Sequence, residues 1–160
     1  MTERTVRREV NVMSEEKLAS VLRDFIEAYV KGDVEKMLPF LAEDVVWIQP
    51  EGSFKGKEEG KRFLARDAAK RTNLRSRDAG IGIMVKGNKA LYEHIHEGST
   101  PDGRRWREIP AISVFEFSGG KIQQRRAYYD RLSMTEQMAK GWFERMIVSL
   151  IVNRWEKGLR

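Results

Sequence analysis

Four strand-like segments in the second half of the chain are separated by turns of only three or four residues. Lys86-Gly87-Asn88 and Ser118-Gly119-Gly120 are typical of tight hairpins, and Thr100-Pro101-Asp102-Gly103 is typical of a slightly longer turn. Strands joined this closely must pair antiparallel, because a parallel pair needs a crossover of a dozen or more residues. The pattern predicts an antiparallel meander formed by residues 74–85, 89–97, 105–117 and 121–130.

Helical segments precede this meander. Ser14 and Gly32 are typical cap residues at the two ends of a first amphipathic helix, and Asp33 can cap a short second one. A strand at residues 44–49 and a turn then lead to a third helix at residues 57–71. The sequence therefore predicts an α+β class, with three N-terminal helices packed on a curved, mostly antiparallel sheet, plus a C-terminal helix. A curved sheet that helices close leaves a cone-shaped pocket.

The 160 residues are predicted to form one domain, residues 14–132, with a segment at each end. Residues 1–13 have arginines but no apolar run, which favours a flexible leader over a signal peptide or a membrane span. Ser133 is predicted to cap one long amphipathic helix, residues 133–160, that packs on the domain or on a partner subunit. Its apolar run is too short to cross a bilayer, so no membrane partner is expected.

The net charge of +6 is spread over basic residues with acidic ones between them, which favours a solvated surface over a nucleic-acid site. The absence of cysteine excludes disulfides, a thiolate nucleophile and sulfur-ligated metals. The default expectation for such a chain is a cytoplasmic location.

The only two histidines, His94 and His96, are two residues apart in a predicted strand, so they share one sheet face with Tyr92. Two imidazoles on one surface can accept and donate protons near neutral pH. Asp130, at the end of the last predicted strand, is the carboxylate candidate for a catalytic set with them. A structural histidine pair is the alternative. A zinc or ferrous site would need a third ligand that no spacing fixes, so no metal is expected.

Three segments resemble a known family: residues 34–47, the Gly56 to Phe63 turn and helix, and residues 114–130, which end in Tyr128-Tyr129-Asp130. Together with the order of elements, they are similar to the SnoaL-like polyketide cyclases and the limonene epoxide hydrolases. These proteins share the cystatin-like α+β roll typified by nuclear transport factor two and ketosteroid isomerase. The resemblance spans about residues 14–137, and it implies cofactor-free chemistry and subunit pairing.

The resemblance also implies roles for individual residues. Asp130 matches the aspartate that is catalytic in both groups of enzymes. Trp47 and Gln49 occupy the places where the epoxide hydrolases hold the attacking water. His94 and His96 stand where those hydrolases have an arginine and an aspartate, so epoxide hydrolysis is less favoured than the histidine–aspartate chemistry of the cyclases and dehydratases.

Strand alternation leaves two possible pocket walls. In the first, Tyr128 shares a face with Asp130 and joins the histidines; in the second, Tyr129 and Glu93 are brought in instead. We prefer the first, because it includes two apolar residues that match pocket-lining positions of the epoxide hydrolases. The substrate-binding residues predicted in this way are Trp47, Gln49, Phe63, Tyr92, Ile112, Val114 and Tyr128.

Aromatic residues suggest the substrate class and the assembly. Trp47 and Phe63 favour a small apolar or cyclic substrate. Phe115, Phe117 and Ile95 are expected on the opposite sheet face, where a second copy would cover them in a homodimer; the last helix would cover them in a monomer.

The predicted function is that of a small-molecule acid/base enzyme: an isomerase, a dehydratase or an aldol cyclase. The Asp130–histidine pair would remove a proton next to a carbonyl, while the other histidine or Tyr128 stabilises the enolate. The alternative is a non-catalytic ligand-binding or assembly module of the same fold.

Overall fold

The computed structural model describes residues 13–156, apart from the side chains of residues 152, 153, 155 and 156. The expected leader therefore lies, except for Met13, outside the described residues. Within the described part of the chain, the strands begin and end close to the predicted turns. They are β1 Leu41–Gln49, β2 Gly52–Lys55, β3 Thr72–Lys86, β4 Lys89–Ser99, β5 Arg105–Ser118 and β6 Lys121–Tyr129.

All six strands form one mixed sheet in the order β2-β1-β6-β5-β4-β3. The predicted meander β3 to β6 is confirmed, and β1 joins its far edge by pairing parallel to β6. The turn predicted before the third helix is wrong in part, because β2 forms there and pairs antiparallel with β1. Phe54 of β2 stacks on Phe63 with 4.5 Å between ring centroids, which anchors this short strand.

The predicted helices and caps are confirmed in the N-terminal half. Ser14 Oγ accepts a hydrogen bond from the Lys17 amide, and Gly32 ends the first helix in the left-handed conformation at φ 70°. Asp33 caps the second helix in the same manner as Ser14 caps the first. The helices are α1 Glu15–Lys31, α2 Val34–Met37, α3 Lys57–Ala69, α4 Arg131–Met138 and α5 Gly141–Glu156, with a 3-10 turn at Leu38–Phe40.

The C-terminal helix differs from the prediction of one continuous helix that begins at Ser133. Asp130 is the actual cap: its carboxylate accepts from the Ser133 amide at 2.9 Å and from the Ser133 hydroxyl at 2.6 Å. The helix breaks after Met138, and Gly141 restarts it at φ 74°. Of the two C-terminal helices, α4 packs on β5. The long apolar stripe lies mainly on α5, which contacts α4. None of the helices within residues 13–156 is long and apolar enough to span a membrane.

The sheet has an inner face, which packs against α1 and α3, and an outer face on the opposite side. Phe25 of α1, Trp47 of β1 and Phe115 of β5 meet in the core with no more than 1% of their surface exposed. The expectation that Phe115 and Phe117 lie on the outer face is therefore wrong, since both are buried in the core cluster. Each such side chain contributes about 1.5–3 kcal/mol by burial.

A bulge interrupts the pairing of β3 with β4. The register with β4 shifts between residues 78 and 83, where Gly80 and Gly82 adopt φ values of 50° and 59°. Glu93 fills this bulge: its carboxylate accepts from the Ile81 amide at 3.0 Å, and a Cβ on Gly80 would lie 2.1 Å from Glu93 Oε2. Because Glu93 is committed here, it does not join the histidines.

Candidate active site

A cavity of about 420 Å³ lies between the inner face of the sheet and helices α1, α3 and α4. Aromatic and apolar side chains provide much of its wall, and the two methionines of α4 close one side. Sites for small organic molecules commonly have this size and character. Its lining includes Phe25, Tyr29, Gln49, Glu51, Phe63, Asp67, Arg71, Tyr92, His94, His96, Ser113, Phe115, Arg125, Tyr129, Met134 and Met138.

The two histidines line this cavity together with Tyr92, as the alternation of β4 predicts. The Tyr92 ring stacks on the His94 ring at 4.2 Å between centroids. His96 lies 6.1 Å from His94 and contacts Tyr129 edge to face at 5.8 Å. Tyrosine and histidine rings therefore form a continuous row on the inner face, from Tyr92 on β4 to Tyr129 on β6.

The backbone fixes the tautomer of His94. Its Nδ1 lies 3.1 Å from the carbonyl oxygen of Tyr92, and a carbonyl can only accept a hydrogen bond. Nδ1 therefore bears the hydrogen in the neutral ring, and the Nε2 lone pair is left to accept a proton. Orientation of one ring nitrogen by a backbone carbonyl is a common way to prepare the other for chemistry.

Both imidazoles are neutral at physiological pH. Burial lowers the pKa of His94 to about 4, against a smaller raising effect of its bond to the Tyr92 carbonyl. Burial also lowers the pKa of His96 to about 4, and the charges of His94 and Arg125 act in the same direction. Among the described residues, His96 Nε2 is a buried atom without a hydrogen-bond partner.

Arg125 is the most unusual residue of the cavity wall, since its side chain is only 6% exposed. Its Nη2 donates to Ser113 Oγ at 3.1 Å. With the Gln49 amide oriented so that its oxygen faces the donors, that oxygen accepts from Arg125 Nη1 at 3.1 Å and from Trp47 Nε1 at 2.6 Å. The guanidinium also lies 4.7 Å from the Trp47 ring centroid.

A second polar cluster lies where α1 meets α3. Arg71 Nε donates to the Asp67 carboxylate at 2.8 Å, and Arg71 Nη2 donates to the Tyr29 carbonyl at 2.8 Å. The same guanidinium stacks over the Tyr29 ring at 4.4 Å. Burial and the Asp67 charge raise the pKa of the Tyr29 hydroxyl to about 12. Asp67 is thus held in an ion pair, and Tyr29 is a hydroxyl that stays protonated.

Tyr129 and Glu51 form a third polar group at the end of β6. The Tyr129 hydroxyl donates to the Glu51 carboxylate, which also lies 3.8 Å from Arg131 Nε. Burial, followed by this carboxylate, raises the pKa of Tyr129 above its ordinary value.

The structure does not bring Asp130 to the histidines. Its carboxylate caps α4, and its bonds to Ser133 hold its pKa below the ordinary value. The preferred wall is also wrong for Tyr128, Ile112 and Val114, because none of them lines the cavity, and Tyr128 and Ile112 are 56% and 40% exposed. Trp47 lies behind Arg125 in the core, whereas Gln49, Phe63 and Tyr92 line the cavity as predicted.

Sheet register explains this difference. Phe115 pairs with Arg125 and Ala111 pairs with Tyr129, while Ile112 pairs with Tyr128. Directly paired residues share a face, so Arg125 and Tyr129 turn inward with Phe115. The signal was present in the sequence, because the alternating Phe115 and Phe117 mark the inner face of β5.

No group of three or more histidine, aspartate or glutamate side chains that could hold a metal ion occurs within residues 13–156. The chemistry that these residues support by themselves is proton transfer by neutral imidazole, next to hydroxyl donors and the buried guanidinium groups of Arg71 and Arg125.

Several known structures share this fold, and some of those proteins are described as candidate polyketide cyclases or isomerases. A candidate polyketide cyclase from Pseudomonas putida is 25% identical, with a TM-score of 0.67 over 76% of this chain and 98% of its own. A candidate polyketide cyclase from Xanthomonas campestris is 23% identical, with a TM-score of 0.68 over 78% and 98%. A candidate isomerase from Bacillus subtilis is 21% identical, with a TM-score of 0.67 over 79% and 95%.

No curated protein matches the sequence. The model of the SnoaL-like domain matches residues 22–125, which is more than half of the chain and extends from α1 to Arg125 on β6. Together with the fold and the histidine-lined cavity, this match shows that the chain belongs to the SnoaL-like domain family.

Proposed function

We propose that the protein is a small-molecule acid/base enzyme in which His94 removes a proton from a carbon next to a carbonyl. The observation that carries this proposal is the bond from His94 Nδ1 to the Tyr92 carbonyl, which leaves Nε2 as an acceptor in the cavity. With a pKa of about 4, His94 is unprotonated at neutral pH and needs no activation. A positioned general base contributes about 10²–10⁴-fold to a rate, and the low pKa of His94 places it toward the lower end of that range.

The neighbouring hydroxyls suit the other half of the reaction. As the C–H bond breaks, the proton goes to His94 Nε2. The electron pair of that bond forms the C=C bond of an enolate, and the negative charge passes to the carbonyl oxygen. The Tyr92 hydroxyl, 3.1 Å from Ser76 Oγ, is protonated because burial raises its pKa, so it can donate to that oxygen. Return of the proton from His94 to another carbon gives isomerisation. In dehydration the β-hydroxyl takes up that proton and leaves as water as the C–O bond breaks. In aldol closure the enolate carbon forms a C–C bond to a second carbonyl, whose oxygen takes up the proton.

The substrate is proposed to be a small apolar or cyclic carbonyl compound. Phe25, Phe63 and Phe115 supply flat apolar surface within the cavity lining, and about 420 Å³ accommodates one or two fused rings. With pKa values of about 4, both imidazoles are unprotonated at neutral pH. They therefore have no proton to give to an epoxide, whereas they can accept one from a carbon atom.

Solvent-deuterium exchange tests the proposal without knowledge of the natural substrate. Cyclohexanone and 2-tetralone in D₂O, followed by ¹H NMR, should lose their α-protons faster with the protein than in buffer. His94→Gln should reduce the accelerated rate by about a hundredfold. Tyr128→Phe, on the outer face, is the control and should exchange at the wild-type rate. Equal rates for wild type and His94→Gln would overturn the assignment of the base.

A ligand-binding module without turnover is the second candidate, and one observation favours it. Among the described residues, the two carboxylates of the cavity lining are both engaged, Asp67 with Arg71 and Glu51 with Tyr129. The remaining base is an imidazole whose basicity burial has reduced. If the ketones bind without any gain in exchange, the binding module is the better description.

Pairing of two copies is also proposed, as the sequence predicts. Apolar side chains remain exposed on the outer face at Met84, Ile112 and Tyr128, and on α5 at Trp142 and Leu150. Light scattering across a range of concentrations should give about twice the mass of the 18.6 kDa chain. A mass of one chain at every concentration would contradict pairing.

A further inference from the structure

A buried cation without an anionic partner is the feature of the cavity that the proposed proton transfer does not use. Arg125 is 6% exposed, and among the described residues no carboxylate oxygen lies within 4 Å of its nitrogens. Arg71 and Arg126, by contrast, each form an ion pair. The two acceptors that it has, Ser113 Oγ and the Gln49 amide oxygen, are neutral. Burial of an unpaired charge is costly, and neutral dipoles and rings offset that cost only in part.

The rest of the wall reinforces this positive charge. Within the described part of the chain, four cationic side chains line the cavity, together with two anionic ones, Glu51 and Asp67. Asp67 is held by Arg71, and Glu51 accepts from Tyr129 and lies near Arg131. Neither carboxylate forms an ion pair with Arg125, and the charge of Asp67 acts on it only from a longer distance. A ligand that enters the cavity therefore meets a guanidinium without a direct anionic partner.

The chemistry of this group indicates what it would bind. A guanidinium presents five N–H donors in a planar fork that matches the two oxygens of a carboxylate. Ser113 and Gln49 take one donor from each terminal nitrogen of Arg125, and they hold the plane of the fork between the Trp47 ring and the cavity. A side chain fixed by neutral partners is oriented without losing its charge.

We infer that the substrate of the proposed acid/base enzyme is a cyclic carboxylic acid whose carboxylate binds Arg125, while its rings lie among Phe25, Phe63 and Phe115. This inference rests on the proposed function only in that the same cavity is the substrate site. Arg125 then positions the substrate, and His94 acts on a carbon elsewhere in the ring system. The carboxylate also supplies the anion that the protein itself does not place beside Arg125.

The test compares two probes of the same shape, 2-naphthoate and 2-naphthamide, by calorimetric titration of the full chain. Wild type should bind the acid at least about tenfold more tightly than the amide. Arg125→Gln should bind the two probes equally. Arg126→Gln, which removes the neighbouring arginine on the outer face, should keep the wild-type preference. Circular dichroism shows whether each variant is folded.

Two results would overturn the inference: equal affinity of wild type for acid and amide, or an undiminished preference in folded Arg125→Gln. The wild-type comparison needs no variant, so it stands even if Arg125→Gln does not fold. Arg125→Lys then serves as the second variant, and it should retain only part of the preference because it keeps the charge but loses the fork.

Failure of this inference is distinguishable from failure of the proposed function. Equal binding of the two probes together with His94-dependent exchange of ketone protons overturns only the carboxylate. A preference for the acid without any exchange overturns only the enzyme, and it leaves Arg125 as the anion site of a binding module.

Discussion

Arg125 and Arg126 are adjacent on β6, yet they lie in opposite environments. Arg126 faces outward, where its Nη2 donates to Glu116 at 2.9 Å and about a third of its side chain is exposed. Arg125 faces inward, is almost fully buried and has only neutral partners. Tyr128 and Tyr129 repeat the contrast three positions later on the strand, with Tyr128 exposed and Tyr129 against His96. Residue type is the same within each pair, so the alternation of the strand alone decides which member can reach a ligand.

Truncation of paired core and surface positions should show the largest contrast between the two faces. Phe115→Ala should lower the free energy of unfolding by about 3–5 kcal/mol, because the side chain is 1% exposed and leaves a cavity in the core. Ile112→Ala, three residues earlier on the same strand, should cost about 1 kcal/mol, because 40% of its surface is already in solvent. Urea titration measures both.

A cost for Ile112→Ala as large as that for Phe115→Ala would mean that the outer face is covered in solution. That cost should then depend on protein concentration, because dissociation of a second copy would be part of unfolding.

Acid should affect the inner face at a higher pH than the outer face. Each buried histidine has a folded-state pKa of about 4, below the ordinary value of 6.5, so only the unfolded chain takes up the proton between these values. Stability is therefore unaffected above pH 6.5 and falls as the pH is lowered from 6.5 to 4. The loss is roughly 3 kcal/mol for each histidine. Urea titration at pH 7, 5.5 and 4.5 measures the slope.

The double variant His94→Gln/His96→Gln is the control for this slope, and it should remove most of the loss between pH 6.5 and 5. Asp130 acts in a lower range: its pKa is below the ordinary 3.8, so its stabilising contribution is present above that value and is lost as the pH falls through its folded pKa. A flat free energy of unfolding between pH 6.5 and 5 in wild type would contradict burial of neutral histidines.

Local signals explain how much of the molecule could be predicted. Tight turns at Gly87 and Gly119 define the meander. The side chains of Ser14 and Asp33 cap helices by accepting from backbone amides only three residues later in the chain, so both kinds of feature depend on neighbours in sequence. The spacing of His94 and His96 is equally local. Asp130 was expected beside the histidines because it ends a strand. The same residue also precedes a helix, and its carboxylate caps that helix by accepting from Ser133.

The parts of the site that were missed depend on contacts between distant segments. Arg125 enters the cavity because β6 pairs with β5 in the register that places it opposite Phe115. Tyr29, Asp67 and Arg71 meet only after α1 and α3 pack together on the sheet. Nothing in the immediate sequence of these residues distinguishes them from a solvated helix surface or an exposed strand.

Removal of the buried charge should give a smaller effect with the opposite sign. Arg125→Met should raise the free energy of unfolding by about 1–2 kcal/mol, since an apolar side chain of similar volume avoids the desolvation of an unpaired guanidinium. Arg126→Met should change it by less than about 1 kcal/mol, because a partly exposed ion pair contributes little. Thermal unfolding of the two variants gives the comparison. A marked loss of stability in Arg125→Met would show that its bonds to Ser113 and Gln49 support the fold.

The two tyrosines should give the smallest contrast. Tyr129→Phe keeps the ring that contacts His96 and removes only the hydroxyl that donates to Glu51, so it should cost about 1 kcal/mol. Tyr128→Phe should change stability by less than about 0.5 kcal/mol, because its side chain is 56% exposed and water replaces its partner. Chemical denaturation in matched buffers measures the difference between them. Equal values for the two variants would mean that the bond between Tyr129 and Glu51 stabilises the fold no more than a bond to water does. The chemical difference between the inner and outer faces would then rest on His94, His96 and Arg125 alone.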